Sequence, residues 1–260
     1  MNEEIKKGTE HPLNILANQA LEVFSGLDFE IAMGPELESE WYNFDALNVS
    51  KDHPARDMQD TFYIKNAPPE FVSSGPRSPS SLPRPDHSEI NSSSAVLRTH
   101  TTNVTARALE TAGKEGNLPC AFISIGKVFR NEATDATHEM QFYQIDGTML
   151  GEDVSIADLK GVLTHFYKNM LGDEIEMDFR PSFFPFVEPG LEVWLKFQNR
   201  WLEVMGAGML HPNVIKNLGL DPKKVQGFAF GGGLDRIAMV KWNVPDVRLF
   251  YQGDLRLNQF

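Results

Sequence analysis

Apolar residues recur along this chain with two different spacings, and the changes of spacing delimit its elements. Over 11–27, Leu13, Leu16, Ala17, Ala20, Leu21 and Phe24 return at helical intervals behind Thr9 and Pro12, which predicts an amphipathic helix with a capped start. Phe29, Ile31 and Met33 then alternate with polar neighbours as far as Gly34 and Pro35, the pattern of a strand ended by proline. Trp41, Tyr42 and Phe44 follow in a loop-like setting. Further on, the spacing predicts a helix over 101–112, strands over 121–129 and 140–150, and a long helix over 155–171. That helix carries Ile156, Leu159, Val162, Leu163, Phe166, Tyr167 and Met170 on one face, and Ser155 caps it. Three strands over 175–179, 191–197 and 201–205 form a meander, the last two joined by a turn at Gln198, Asn199 and Arg200. A short helix over 214–220, a strand over 227–230 and a helix over 234–242 complete the pattern. Helices that flank a run of hairpin-linked strands, with no regular strand–helix alternation, predict an α+β domain.

One stretch breaks the periodicity. Residues 66–95 contain six prolines and nine serines with few large apolar groups, so they cannot offset the cost of ordering from a core of their own. A surface loop inserted into one domain over 1–260 is expected, and 260 residues are enough for one large core. No uninterrupted apolar run is long enough to span a membrane and the first residues are polar, so a cytoplasmic protein is expected. The single Cys120 excludes an internal disulfide framework and any multi-thiolate metal site. A formal net charge of −12 argues against a chain that holds a long nucleic acid by itself, because Lys and Arg on phosphates dominate such binding.

Chemistry concentrates in two arginine-bearing segments. The strand over 121–129 delivers Arg130 and Glu132 to its exposed end, and Gly231, Gly232 and Gly233 let a ligand approach the backbone ahead of a helix carrying Arg236. Two cations on rigid elements suit a polyphosphate. The glycines are not spaced as GxGxxG and no Walker lysine follows, so neither common nucleotide fingerprint applies. Taken singly, a solvated arginine and a tight turn would look the same. Phe184 and Phe186 flank Pro185; on one side of an extended segment they would clamp a third ring edge-to-face, and an ordinary aromatic core has the same signature.

Taken in order, 53–56 (His-Pro-Ala-Arg), 98–102 (Arg-Thr-His-Thr-Thr), 129–132, 135–138, 142–147, 180–189 and 231–236 resemble the catalytic domain of the α subunits of bacterial phenylalanyl-tRNA synthetases, a class II aminoacyl-tRNA synthetase family. The resemblance runs from about His11 to Phe260. It implies a six- or seven-stranded, mostly antiparallel sheet flanked by helices, with the segment from His11 to Pro35 at a dimer interface. It also implies activation of phenylalanine with ATP and Mg²⁺, transfer to tRNA, and a β-subunit partner in an α2β2 assembly. Residue by residue, Arg130 would hold the α-phosphate and the amino-acid carboxylate, Glu132 the adenine amino group, His138 the outer phosphates and Arg236 the γ-phosphate. Phe142, Glu203, Gly231 and Gly233 would complete the ATP site. Gln144 and Asp146 would receive the substrate ammonium with His100 and Thr102 beside them, Phe184 and Phe186 would clamp the phenyl ring, and Ala229 would floor its pocket. Glu188 would be a Mg²⁺ ligand shared with the β subunit.

Elementary chemistry agrees with a site rich in arginines and poor in bases. A carboxylate attacking phosphorus is already ionised at neutral pH, so catalysis reduces to positioning and charge stabilisation, for which the guanidinium fork suits paired oxygens. The chain departs from the family pattern at Asp146 and Asp235, where Glu is usual, at Thr102 for Ser, Tyr143 for His and Ala207 for Cys. The shorter acids withdraw each carboxylate by about 1.5 Å, a displacement that matters to positioning. The loop over 66–95 exceeds the family's connection, and no segment corresponds to its N-terminal coiled-coil arm. The alternatives are a related synthetase with another amino-acid specificity and a catalytically silent amino-acid-binding paralogue, which would lack Arg130 or Arg236.

Overall fold

A computed structural model describes residues 9–65, 67, 94–136, 138–197 and 200–253. The first helix, α1 (Pro12–Ser25), starts where His11 Nδ1 accepts from the Leu13 N–H at 3.2 Å, with Pro12 in the first turn, where a missing N–H costs nothing. Strand β1 (Glu30–Ile31) is only two residues long. Of the alternating residues that predicted it, Phe29 is buried while Ile31 and Met33 are 53% and 91% exposed. The strand lies at a sheet edge, and only Phe29 reaches the core.

Residues 41–45 were expected in a loop. They form one wide turn of π-helix, with Tyr42 and Phe44 buried. The loop expected over 66–95 falls almost wholly outside the described residues. At its end, Ser94 and Ala95 belong to a strand, so the boundary of that loop is corrected. A small antiparallel sheet is built from β2 (Leu37–Glu38), β3 (Tyr63–Lys65) and β4 (Ser94–Leu97) in the order β2-β4-β3. From β4 the chain turns at 98–101 into α2 (Thr102–Glu115).

The main sheet follows the expected elements with longer strands. These are β5 (Cys120–Phe129), β6 (Gln141–Gly151), β7 (Met177–Phe184), β8 (Val187–Phe197), β9 (Arg200–Leu210) and β10 (Gln226–Gly233). With β1 they form a seven-stranded sheet in the order β1-β5-β6-β10-β9-β8-β7, antiparallel throughout except for β1 beside β5. Of the turn expected at 198–200, Gln198 and Asn199 lie outside the described residues, and Arg200 is the first residue of β9 rather than part of a turn. Helices α3 (Ile156–Leu171), α4 (Pro212–Asn217) and α5 (Leu234–Trp242) complete the order. Ser155 caps α3 in a capping box with Asp158.

The two faces of the sheet differ. On one, α1, α3 and α5 bury Leu16, Phe24, Leu163, Phe166 and Ile237 against Ile145, Phe228 and Phe230. On the other, α2, α4 and the 41–45 turn pack Phe44, Leu109 and Val214 around Leu150 and Ala229. These helices leave the middle of that second face open. Side chains alternate along a strand, so Ile145 enters the first core while Gln144 and Asp146 face the opening.

Candidate active site

Two cavities meet on the open face. The first, of about 200 Å³, is lined by Arg130, Glu132, His138, Phe142, Glu203, Gly231, Gly233 and Arg236, together with Asp235. The second, of about 580 Å³, is lined by His100, Thr102, Gln144, Asp146, Phe184, Phe186 and Ala229, together with Phe183 and Gly206. Arg130, Glu132, Gln144 and Gly231 line both. A molecule in one cavity therefore lies beside a molecule in the other, with Arg130 at the junction.

Arg130 follows β5 directly. Its Nε donates to the Thr99 carbonyl at 3.3 Å, its Nη1 lies 3.8 Å from Glu132 Oε1, and its guanidinium stands 5.1 Å from the centre of the Phe142 ring. These contacts orient the fork while leaving most of its donors for a ligand. Across the cavity, Arg236 Nη1 donates to the Glu203 carbonyl at 3.1 Å. Behind Arg236, Asp235 is buried, accepting from the Tyr143 N–H at 2.8 Å and from the Tyr251 hydroxyl. Burial raises its pKa to about 6 against the pull of those donors.

The three glycines extend the strand expected over 227–230. They are strand, not turn: Gly231, Gly232 and Gly233 pair with Asp146, Ile145 and Gln144, and α5 begins at Leu234. Gly231 makes room for a neighbouring side chain, since a Cβ there would fall 2.2 Å from Asp146 Oδ1. Gly206, opposite it on β9, does the same for the Phe184 ring.

Asp146 is buried in that space. The Thr101 and Thr102 hydroxyls donate to it, the latter at 2.6 Å, as does the Thr101 N–H at 3.3 Å. Burial pushes its pKa up and these bonds pull it down. The shortened carboxylate therefore has close hydroxyl partners. His100 donates from Nε2 to the Asn43 carbonyl at 3.0 Å, which leaves Nδ1 as a bare acceptor, buried without a partner. Burial, helped by the charge on Arg130, depresses its pKa to about 4, so the ring is neutral at pH 7. Gln144 Oε1 is likewise buried without a partner. Two orphaned acceptors and a buried carboxylate therefore belong to residues that line one end of the second cavity.

The two aromatic residues lie side by side. Phe184 ends β7 and Phe186 sits in the turn before β8, and their rings stack on each other 5.9 Å apart at 19°. Both residues line the second cavity, as part of one wall. Glu188 lies apart from both cavities: its side chain is 73% exposed and stands 3.3 Å from His211 Nε2. Among the described residues, no group of three or more His, Cys, Asp or Glu converges to hold a metal alone.

Sequence reasoning missed Phe44, Val49, Asp60, Phe183 and Gly206 in the cavity walls. Gly206 lies in a run of small residues, Gly206-Ala207-Gly208, and that run in a buried strand was the available signal. The others carry no local pattern.

A protein-family model for the core domain of class II tRNA synthetases (F) matches residues 1–260. The chain belongs to this family. As a member it is an aminoacyl-tRNA ligase, a class of enzyme that uses ATP. Among its relatives are proteins named phenylalanine–tRNA ligase alpha subunit from Bacillus cytotoxicus, Bacillus cereus and Bacillus anthracis. Each is 42% identical over 269 aligned residues covering 98% of this chain and 70% of the relative. The synthetase also has no helix, among its described residues, long and apolar enough to cross a membrane.

Proposed function

We propose that this chain is the α-type catalytic subunit of a phenylalanine–tRNA ligase, which joins phenylalanine to ATP as an adenylate and passes the acyl group to tRNA. The observation that carries the substrate assignment is the second cavity. A polar end of Asp146, Gln144 and His100, which would receive the substrate ammonium, faces an apolar end walled by the stacked Phe184 and Phe186 and by Ala229. An amino acid with an aromatic side chain fits both ends at once. The names of the relatives agree.

In this reading ATP lies in the first cavity, with its adenine against Phe142 and near Glu132 and its outer phosphates toward His138 and Arg236. Arg130, on the boundary, holds the substrate carboxylate and the α-phosphate together. Carboxylate oxygen attacks phosphorus and pyrophosphate departs. The guanidinium groups stabilise the charge that builds on the phosphoryl oxygens, and no protein base is required. Mg²⁺ needs one or two protein carboxylates when phosphates supply its other ligands, and Glu203 in the first cavity fits that need. Bound there, the ion would add positive charge against the outer phosphates. Glu188, exposed and outside the lining of both cavities, fits a contact or shared ion with a β subunit instead.

Incubating the assembled enzyme with phenylalanine, ATP and pyrophosphatase should yield enzyme-bound phenylalanyl adenylate by mass spectrometry. Failure to form it under conditions where another amino acid does would overturn the assignment.

A further inference from the structure

Arg98 is buried and lines neither cavity. Its guanidinium donates to main-chain carbonyls on two separate elements: Nε to Lys127 on β5 at 2.7 Å, and Nη1 to Gly34 at 3.1 Å and Pro35 at 3.3 Å, just beyond β1. Its backbone is tied as well, N to the Glu36 carbonyl and O to the Phe129 N–H, both at 2.9 Å. Strand β5 is notched to admit it, because a Cβ on Gly126 would fall 2.1 Å from Arg98 Nη2.

The residues that follow Arg98 carry the site. The Thr99 carbonyl accepts from Arg130 Nε, and Thr101 and Thr102 hold Asp146. Both halves of the proposed reaction centre thus hang from the one turn that Arg98 fastens. We propose that Arg98 is a positioning residue: its fork, seated in the Gly126 notch, locks the 98–102 turn to β5 and so sets the place of Arg130 for adenylate formation, without touching substrate. A lysine cannot replace it, since a single ammonium lacks the planar fork that reaches carbonyls on both elements.

The kinetic side of this inference rests on the adenylate-forming reading; the structural side does not. In the assembled enzyme, Arg98→Lys and Gly126→Ala should each lower kcat for phenylalanine-dependent pyrophosphate exchange by roughly 10- to 100-fold, the scale of ångström misplacement. KM for ATP should stay within about threefold while KM for phenylalanine rises with the loosened hold on Asp146, and the proteins should remain folded at the assay temperature. The double variant should lose no more than the worse single one, because both changes remove the same seating. A crystal structure of Arg98→Lys should show Arg130 Nε withdrawn from the Thr99 carbonyl. Unchanged kcat, losses that multiply, a loss that only follows the folded fraction, or an Arg130 still in place would overturn the proposal. Should the wild-type enzyme fail to exchange with phenylalanine, the substrate reading falls, and the position of Arg130 in the variant still decides the role of Arg98.

Discussion

Arg130 occupies the boundary between the two cavities, so its removal separates effects that other residues combine. Arg130→Ala should lower kcat for adenylate formation by roughly 100- to 1000-fold, the usual cost of one preorganised charge-stabilising donor, with the thermal midpoint little changed. Near-normal exchange kinetics would remove it from the chemistry. Ala229 tests pocket size: Ala229→Gly should admit para-substituted phenylalanines, at a strand-glycine cost of about 0.5–1 kcal/mol in stability, and an unchanged substrate profile would place the floor elsewhere. His100 tests charge. Its folded pKa, about 4, lies below the unfolded value of about 6.5, so acidification between those values protonates the unfolded chain first and weakens the fold. In His100→Gln that penalty is gone, and its melting temperature relative to wild type should rise as pH falls from about 7 to about 4.5. A difference independent of pH would mean that His100 is not held neutral by burial. At this scale the residues alone pointed to Arg130 and Arg236, and the family resemblance to Asp146; all three line the cavities. It was silent on Phe44 and Asp60, which reach the cavity only because distant segments fold over the sheet.

Strands and helices with strong periodicity were readable; features set by partners across the sheet were not. The helix over 234–242 and the Ser155 cap lie where the spacing places them. The 41–45 turn hides its burial because its apolar and polar residues follow neither period, and packing against α2 and the open face orders them. Gly231 to Gly233 look like a turn in sequence, yet each pairs in β10, and the reason for Gly231 is the side chain of Asp146 on the adjoining strand. Gly231→Ala should therefore displace Asp146, costing about 1–3 kcal/mol in stability as overpacking does, and raise KM for phenylalanine more than KM for ATP. Chemical denaturation with paired KM measurements would check this. A variant with native stability and native KM values would show that the strands can part to admit the methyl.

The whole chain carries a net charge of −12, and its site opens on one face of a single sheet. Strong binding of tRNA needs cationic surface that this balance does not provide, which favours a second subunit as the main holder of the nucleic acid. Purified alone, the chain should charge tRNA poorly, and addition of a basic partner should restore charging with steep salt dependence; efficient charging by the isolated chain would refute the requirement. The most direct test of the central claim is amino-acid-dependent pyrophosphate exchange, run on the assembled enzyme with each of the twenty amino acids in turn. Phenylalanine alone should support rapid exchange, and Arg130→Ala should abolish most of it. Exchange driven by a different amino acid, or by none while the protein is folded and binds ATP, would contradict the assignment of the second cavity to phenylalanine.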